Sequence, residues 1–220
     1  MYNSILSATQ VEFLKLVGAT KTISNKFYLT GGTALAGFYI PYRYSEDLDF
    51  FSEQEVDVIS IQVFLKSISN KLEVSEVEFQ SSFNRNLFFL TIKRGAVLKT
   101  EFTYFPFTQL GDPEIYENLK IDSVIDIATN KLFTIYQRTA ARDYMDLYQL
   151  CKKYQYTISD LVANARLKFD SHIDPLKLAA QFNKAPEAID LPILVDGLSS
   201  GSWHKFFQTE ADKLQSQILT

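Results

Sequence analysis

The stretch from Phe27 to Phe51 constrains this chain more than any other. Phe27-Tyr28-Leu29-Thr30 reads as a short strand, and Gly31-Gly32 breaks it. Thr33 to about Tyr39 reads as a helix ending near Pro41, and Asp47 to Phe51 as the next strand. In an extended chain successive side chains alternate faces, so Asp47 and Asp49 share one face while Leu48 and Phe50 take the other. Two carboxylates held that close repel unless a cation lies between them. Hard oxygen ligands on a strand suit Mg²⁺ or Mn²⁺, with water and substrate phosphates filling the rest of the shell. The glycines suit the other half of a phosphate site, because their backbone can approach a ligand and the following helix points N–H groups at an anion.

Apolar spacing from residue 3 to residue 22 is mostly helical, and Asp57 to Leu72 is amphipathic, with Val58, Ile61, Phe64, Leu65 and Ile68 on one side. From Val74 to Phe107 the chain is β-prone, with turn signals at Asn84-Arg85-Asn86 and Arg94-Gly95, which predicts an antiparallel meander. Gly111-Asp112-Pro113 punctuates the chain, and after about Ser123 the pattern is helical to the end. Ser123 with Asp126, Thr157 or Ser159, Asp174-Pro175 and Ser202 are the expected helix starts. The expected architecture is α+β: a small mixed sheet flanked by helices, followed by a C-terminal helical bundle. The domains are read as residues 1–118 and 119–220.

At 220 residues and 46% hydrophobic, the chain is long and apolar enough for a sizeable core. No apolar run reaches the roughly 18 residues of a membrane span, and Met1-Tyr2-Asn3-Ser4-Ile5-Leu6 has no basic segment leading into an apolar one. The single cysteine, Cys151, rules out an internal disulfide framework and fits a reducing cytoplasm. It lies among helix formers and reads as structural. His172 and His204 have no spaced partner for zinc. A net charge of −4 argues against a general nucleic-acid coat, although local basic patches can still steer a phosphate backbone.

Three blocks in order carry a resemblance: Leu29-Thr30-Gly31-Gly32-Thr33-Ala34-Leu35, then Arg43-Tyr44-Ser45-Glu46-Asp47-Leu48-Asp49-Phe50, then Lys131-Leu132-Phe133 leading to Arg138 and Arg142-Asp143-Tyr144-Met145-Asp146-Leu147. Together they resemble the nucleotidyltransferases of the DNA-polymerase-β type, and more narrowly the AbiEii/AbiGii toxin family, over residues 27–150. The resemblance implies metal-dependent transfer of a nucleoside monophosphate from a nucleoside triphosphate, with Mg²⁺ or Mn²⁺ as cofactor. It also implies an RNA acceptor such as a tRNA 3′ end, and a role as the toxin of a bacterial toxin–antitoxin or phage-defence system with a cognate antitoxin partner. Two other readings stay open: transfer to a small molecule or protein hydroxyl, and a non-catalytic relative that only binds a nucleotide or partner.

Transfer assisted by two metal ions needs about three carboxylates on adjacent strands. Asp47 and Asp49 supply two, and Glu101 on the meander is the best third, the alternative being a solvated strand residue. Gly31, Gly32 and Thr33 would hold the β and γ phosphates through backbone N–H groups and one hydroxyl. Ser45 would order the turn, and Arg43 would meet phosphate or pair with Glu46. On one continuous helix Lys131, Arg138 and Arg142 fall within about 40° of one another, with Asp146 a little further round. That stripe is either a solvated face or, as the resemblance implies, a nucleotide-binding set. The family tends to break this helix before the Arg-Asp pair. On the second reading Lys131 touches phosphate, Asp143 or Asp146 orients it or approaches the acceptor substrate, and replacing Lys131 costs little stability.

Overall fold

The computed structural model describes residues 5–93, 95–195 and 200–216. The first four residues of the N-terminal segment and Arg94 of the expected Arg94-Gly95 turn lie outside them. The chain forms two compact units: Met1–Thr108 with Asp112–Ser123, and Gln109–Gly111 with Val124–Thr220.

The first unit opens with α1 (Ala8–Ala19), later than the residue-3 start of the helical pattern because Ser7 caps it. Ser7 Oγ accepts from the Gln10 N–H while Gln10 accepts from the Ser7 N–H, a reciprocal capping box. A short α2 (Lys21–Ser24) leads into β1 (Tyr28–Thr30). Gly31–Ala34 makes one α-helical turn (α3), which widens into a π-helical turn over Leu35–Tyr39. Then come β2 (Leu48–Ser52), α4 (Val58–Ile68) capped by Asp57, β3 (Val74–Ser82), β4 (Arg85–Ile92) and β5 (Val97–Tyr104). The meander is antiparallel as its turn signals predict.

β6 (Glu114–Tyr116) and β7 (Leu119–Ile121) have no counterpart in the sequence reading. Each is three residues long, too short for a period-two pattern to stand out. β7 lies parallel to β1, completing a mixed sheet of seven strands in the order β3-β4-β5-β2-β1-β7-β6. The expected domain boundary at 118/119 therefore falls inside the β6–β7 hairpin, and the first unit runs on to Ser123. One sheet face carries Leu29, Leu48, Phe50, Phe88, Leu90 and Phe102, all buried. Phe50 stacks on Phe102 at 5.1 Å, and Phe13 of α1 meets both Phe50 and Phe64 of α4. This aromatic cluster fixes which way every residue of β2 faces.

The second unit is helical: α5 (Val124–Gln137), α6 (Ala141–Tyr154), α7 (Ile158–Phe169), α8 (Pro175–Asn183) and α9 (Ser200–Ser216). Thr157 caps α7, and Asp174 caps α8 with Pro175 in its first turn. The core joins Tyr144, Phe182, Trp203 and Phe207, all nearly fully buried. The molecule is thus α+β, a mixed sheet with flanking helices followed by helices alone.

Candidate active site

Strand register decides which side chains meet. β2 pairs in parallel with β5 so that Asp49 sits opposite Glu101, while Thr30 of β1 sits opposite Asp49 on its other side. Leu87 of β4 faces Glu101, so one row crosses four strands: Thr30, Asp49, Glu101, Leu87. Because Leu48 and Phe50 are pinned in the aromatic core, Asp49 must face the other way. Glu101 joins it on that face, flanked by the inward-facing Thr100 and Phe102.

The carboxylates on this face are held by cations of the sheet. Arg85 grips Glu101 with both prongs of its guanidinium, Nε to Oε1 at 2.7 Å and Nη2 to Oε2 at 2.6 Å. Thr103 donates to the same carboxylate at 2.5 Å. Lys99 Nζ lies 2.9 Å from Asp47 Oδ2. Burial of Glu101 pushes its pKa upward, but the bonds from Arg85 and Thr103 outweigh this and leave it below the usual value. Arg85 is raised in turn, first by its bond to Glu101 and then, against desolvation, by the charges of Glu101, Asp49 and Asp47.

Donor type and register both suit a hard divalent cation: Asp49 and Glu101 lie side by side on neighbouring strands, and Asp47 immediately precedes β2. Among the described residues, however, no three Asp, Glu, His or Cys side chains converge on one point in metal-binding geometry. Glu101 is turned to Arg85 and Asp47 to Lys99.

The glycine pair fits closely around these groups. Gly31 has φ +71°, and a Cβ there would lie 2.5 Å from Asp49 Oδ2. A Cβ on Gly32 would lie 2.3 Å from Arg43 Nη2 and 3.0 Å from Ser45 Oγ. Both glycines therefore admit neighbouring side chains, whatever else their backbone does. Thr33 is fully buried, and its hydroxyl bonds to Ser45 Oγ at 2.9 Å and to the Asp47 carbonyl. This corrects the expectation of a phosphate-facing hydroxyl: Thr33 fixes the turn that delivers Asp47. Ser45 shares that task, and its carbonyl and that of Glu46 accept from Gln10 Nε2 at 2.8 and 3.2 Å. Arg43 is buried, with Nη1 donating to the Tyr44 carbonyl, while Glu46 is exposed.

In the helical unit, the single stripe expected for Lys131, Arg138 and Arg142 is divided. α5 stops at Gln137 and α6 begins at Ala141, so Arg138 lies between helices and Arg142 is the second residue of the next one, exposed. Ala140 takes the N-cap position, and Asp143 stands in the first turn. Lys131 Nζ lies 2.8 Å from Asp143 and 2.7 Å from Asp146, and Arg138 adds a bond of 2.9 Å to Asp143. Both aspartates are almost wholly buried. Burial pushes the Asp143 carboxyl upward, yet the charge and hydrogen bond of Lys131, with Arg138 beside them, hold it below its ordinary value. Lys131 is thus paired with two buried carboxylates.

Sequence reading missed Gln10, Arg85, Lys99 and the pair Lys168–Asp126. Lys99 was findable, two residues before Glu101 on the same strand face. Arg85 was masked by its place in a turn signal. Lys168 and Asp126 meet at 2.5 Å in full burial, 42 residues apart, and Asp126 also accepts from the Leu110 and Gly111 N–H groups.

Comparison with known proteins gives the family. The profile described as nucleotidyl transferase AbiEii toxin, type IV TA system, matches residues 15–217. An uncharacterized protein of Aquifex aeolicus (strain VF5) is 32% identical over 150 residues, 67% of this chain and 68% of that protein. Among solved structures, JHP933 from Helicobacter pylori superposes with a TM-score of 0.64 at 20% identity, covering 96% of this chain and 94% of the other. A second H. pylori structure gives 0.62 at 23% identity, covering 96% and 97%. At these identities the two structures speak for the fold alone.

Proposed function

We propose that this chain, which belongs to the AbiEii nucleotidyltransferase toxin family, transfers a nucleoside monophosphate to an RNA hydroxyl with the help of Mg²⁺ or Mn²⁺. The nucleotidyltransferase class comes with the family; the metal, the acceptor and the cellular setting are the proposal. An acceptor hydroxyl attacks the α-phosphorus of a nucleoside triphosphate in line, a new O–P bond forms, and pyrophosphate leaves. A divalent ion held by Asp47, Asp49 and Glu101 would supply charge neutralisation at the attacking and leaving oxygens. The observation that carries this reading is the row Thr30–Asp49–Glu101, with Asp47 two residues before Asp49 and Gly31 against the Asp49 carboxylate.

The chain's own residues then have distinct tasks. Gly31 and Gly32 let backbone come close to Asp49, Arg43 and Ser45 and present N–H groups toward phosphate. Thr33, Ser45 and Gln10 hold the turn before β2 so that Asp47 and Asp49 keep their spacing. As a separate proposal for the helical unit, Lys131, Arg138 and Arg142 are phosphate contacts in their own right, with Asp143 and Asp146 orienting Lys131. A cognate antitoxin is the proposed protein partner, in the cytoplasm, a reading supported by the family's description as a type IV TA toxin. Transfer to a protein or small-molecule hydroxyl is the second reading, favoured by the net charge of −4, which gives an RNA acceptor no general attraction.

Incubation with labelled nucleoside triphosphates, Mg²⁺ and total cell RNA tests the acceptor. Label on RNA supports the first reading, and label confined to protein or small metabolites supports the second. Asp49→Asn tests the chemistry: turnover should fall by roughly 10²–10³-fold or more, the scale of losing a transition-state electrostatic contact. Stability should shift by no more than about 0.5 kcal/mol. Wild-type turnover in that variant would refute the metal-assisted mechanism.

A further inference from the structure

The carboxylate proposed as the third metal ligand already has a fitted cation. Arg85 lies two strands from β2 and reaches Glu101 with two parallel bonds of 2.6–2.7 Å. Its side chain is 57% exposed while that of Glu101 is 6% exposed. The arginine thus stands on the solvent side of a nearly buried carboxylate, so anything approaching Glu101 from that side meets the guanidinium first. Lys99 also pairs with Asp47, but there both side chains are about one-third exposed and neither is the outer member. Such a bidentate charge pair is among the stronger hydrogen-bonded contacts a protein makes. With the Thr103 hydroxyl it takes three of the roughly four lone-pair positions of the carboxylate, leaving little for a metal ion.

We propose that Arg85 and a divalent ion compete for Glu101, so that binding the ion and releasing the guanidinium are one coupled step. The released guanidinium is left on the site face with five N–H donors and a planar fork suited to phosphate oxygens. A triphosphate bound there gives it the anion it lost. The consequence is thermodynamic coupling: metal alone binds weakly, and metal and nucleotide strengthen each other's binding by the same factor. Arg85 is in this sense a positioning residue for the reaction, setting the order in which the site is filled. The proposal rests on the metal reading of Asp47, Asp49 and Glu101, and the test separates the two.

Mn²⁺ binding to the full-length protein, followed by electron paramagnetic resonance and calorimetry, is measured without nucleotide and then with a non-hydrolysable nucleoside triphosphate analogue. In Arg85→Gln the nucleotide-free affinity should rise at least tenfold over wild type, and the strengthening by the analogue should shrink by a similar factor. Arg85→Lys, which keeps the charge but loses the fork, should fall between and guards against a folding defect in the glutamine variant. Adding Glu101→Gln to Arg85→Gln should remove the gain. Equal Mn²⁺ affinity in wild type, Arg85→Gln and Arg85→Lys, with Asp49→Asn still abolishing binding, would overturn the competition and leave the metal reading standing. Mn²⁺ binding unaffected by Asp49→Asn would overturn both.

Discussion

Two clusters of opposite charges, one in the sheet unit and one in the helical unit, use the same chemistry for different ends. On the sheet a cation is the outer member: the Arg85 side chain is 57% exposed over Glu101 at 6%, while Lys99 and Asp47 are about equally exposed. In the helical unit a cation lies inside, since Lys131 is 11% exposed and bonds to Asp143 and Asp146, whose side chains are 1% and 0% exposed. A cation on the water side can leave and have solvent take its place. One between two buried anions is not replaced that way, because its departure strips a contact from two desolvated charges at once. The position of the cation, more than the number of ion pairs, sets how readily a pair opens to another partner.

The sharpest way to break this contrast is to remove the cations in turn. Lys131→Met should lower unfolding stability by about 3–5 kcal/mol, against about 1 kcal/mol for Arg85→Met, whose place opens to water. Urea unfolding of the two variants measures the difference. Equal losses would show that exposure does not distinguish the clusters.

The sheet cluster is exacting in its backbone, by contrast. Gly31→Ala combines a left-handed φ with a Cβ 2.5 Å from the Asp49 carboxylate. It should cost about 1–3 kcal/mol and displace Asp49, reducing turnover at least tenfold. Unfolding and rate measurements on the same preparation check both, and an unchanged rate would detach Gly31 from the site.

The smallest effect is the response to acid. Asp143 has a pKa below the ordinary 3.8, so its ionised form is favoured by folding. That contribution is fully present above pH 3.8 and is lost as pH falls through the lower folded value. Stability of Asp143→Asn should therefore differ from wild type by a constant amount between pH 7 and 5, and the gap should close below about pH 4. Urea midpoints across that range would expose the opposite sign, a gap that widens in acid.

Much of the sheet unit was legible because its signals are local. Gly31-Gly32 between apolar runs, Asp47-Leu48-Asp49-Phe50 with period two, and the turn residues of the meander each speak within a few positions. The parallel pairing that puts Asp49 beside Glu101 spans 52 residues and carries no local mark. Glu101 was nevertheless a candidate, from strand alternation within its own segment and from the resemblance. The Arg85 clasp, the inward turn of Thr33 and the Lys131 tie were not legible, since each depends on which neighbour a long or polar side chain finds once the core is packed. The break between α5 and α6 is hidden for a different reason: no Gly or Pro marks residues 138–140, and the family resemblance, not the residues themselves, warned of it.

The late arrival of β7 bears on how the chain is made. β1 is synthesised within the first 30 residues, yet its parallel neighbour is Leu119–Ile121. A ribosome adding about 5–20 residues per second leaves the backbone of β1 without that partner for several seconds. During that interval β1 presents an unpaired edge on the side β7 will occupy, the kind of surface that recruits stray strands. A fragment cut at residue 108 or 118 would keep that edge indefinitely, so expression of the sheet unit alone should extend through Ser123.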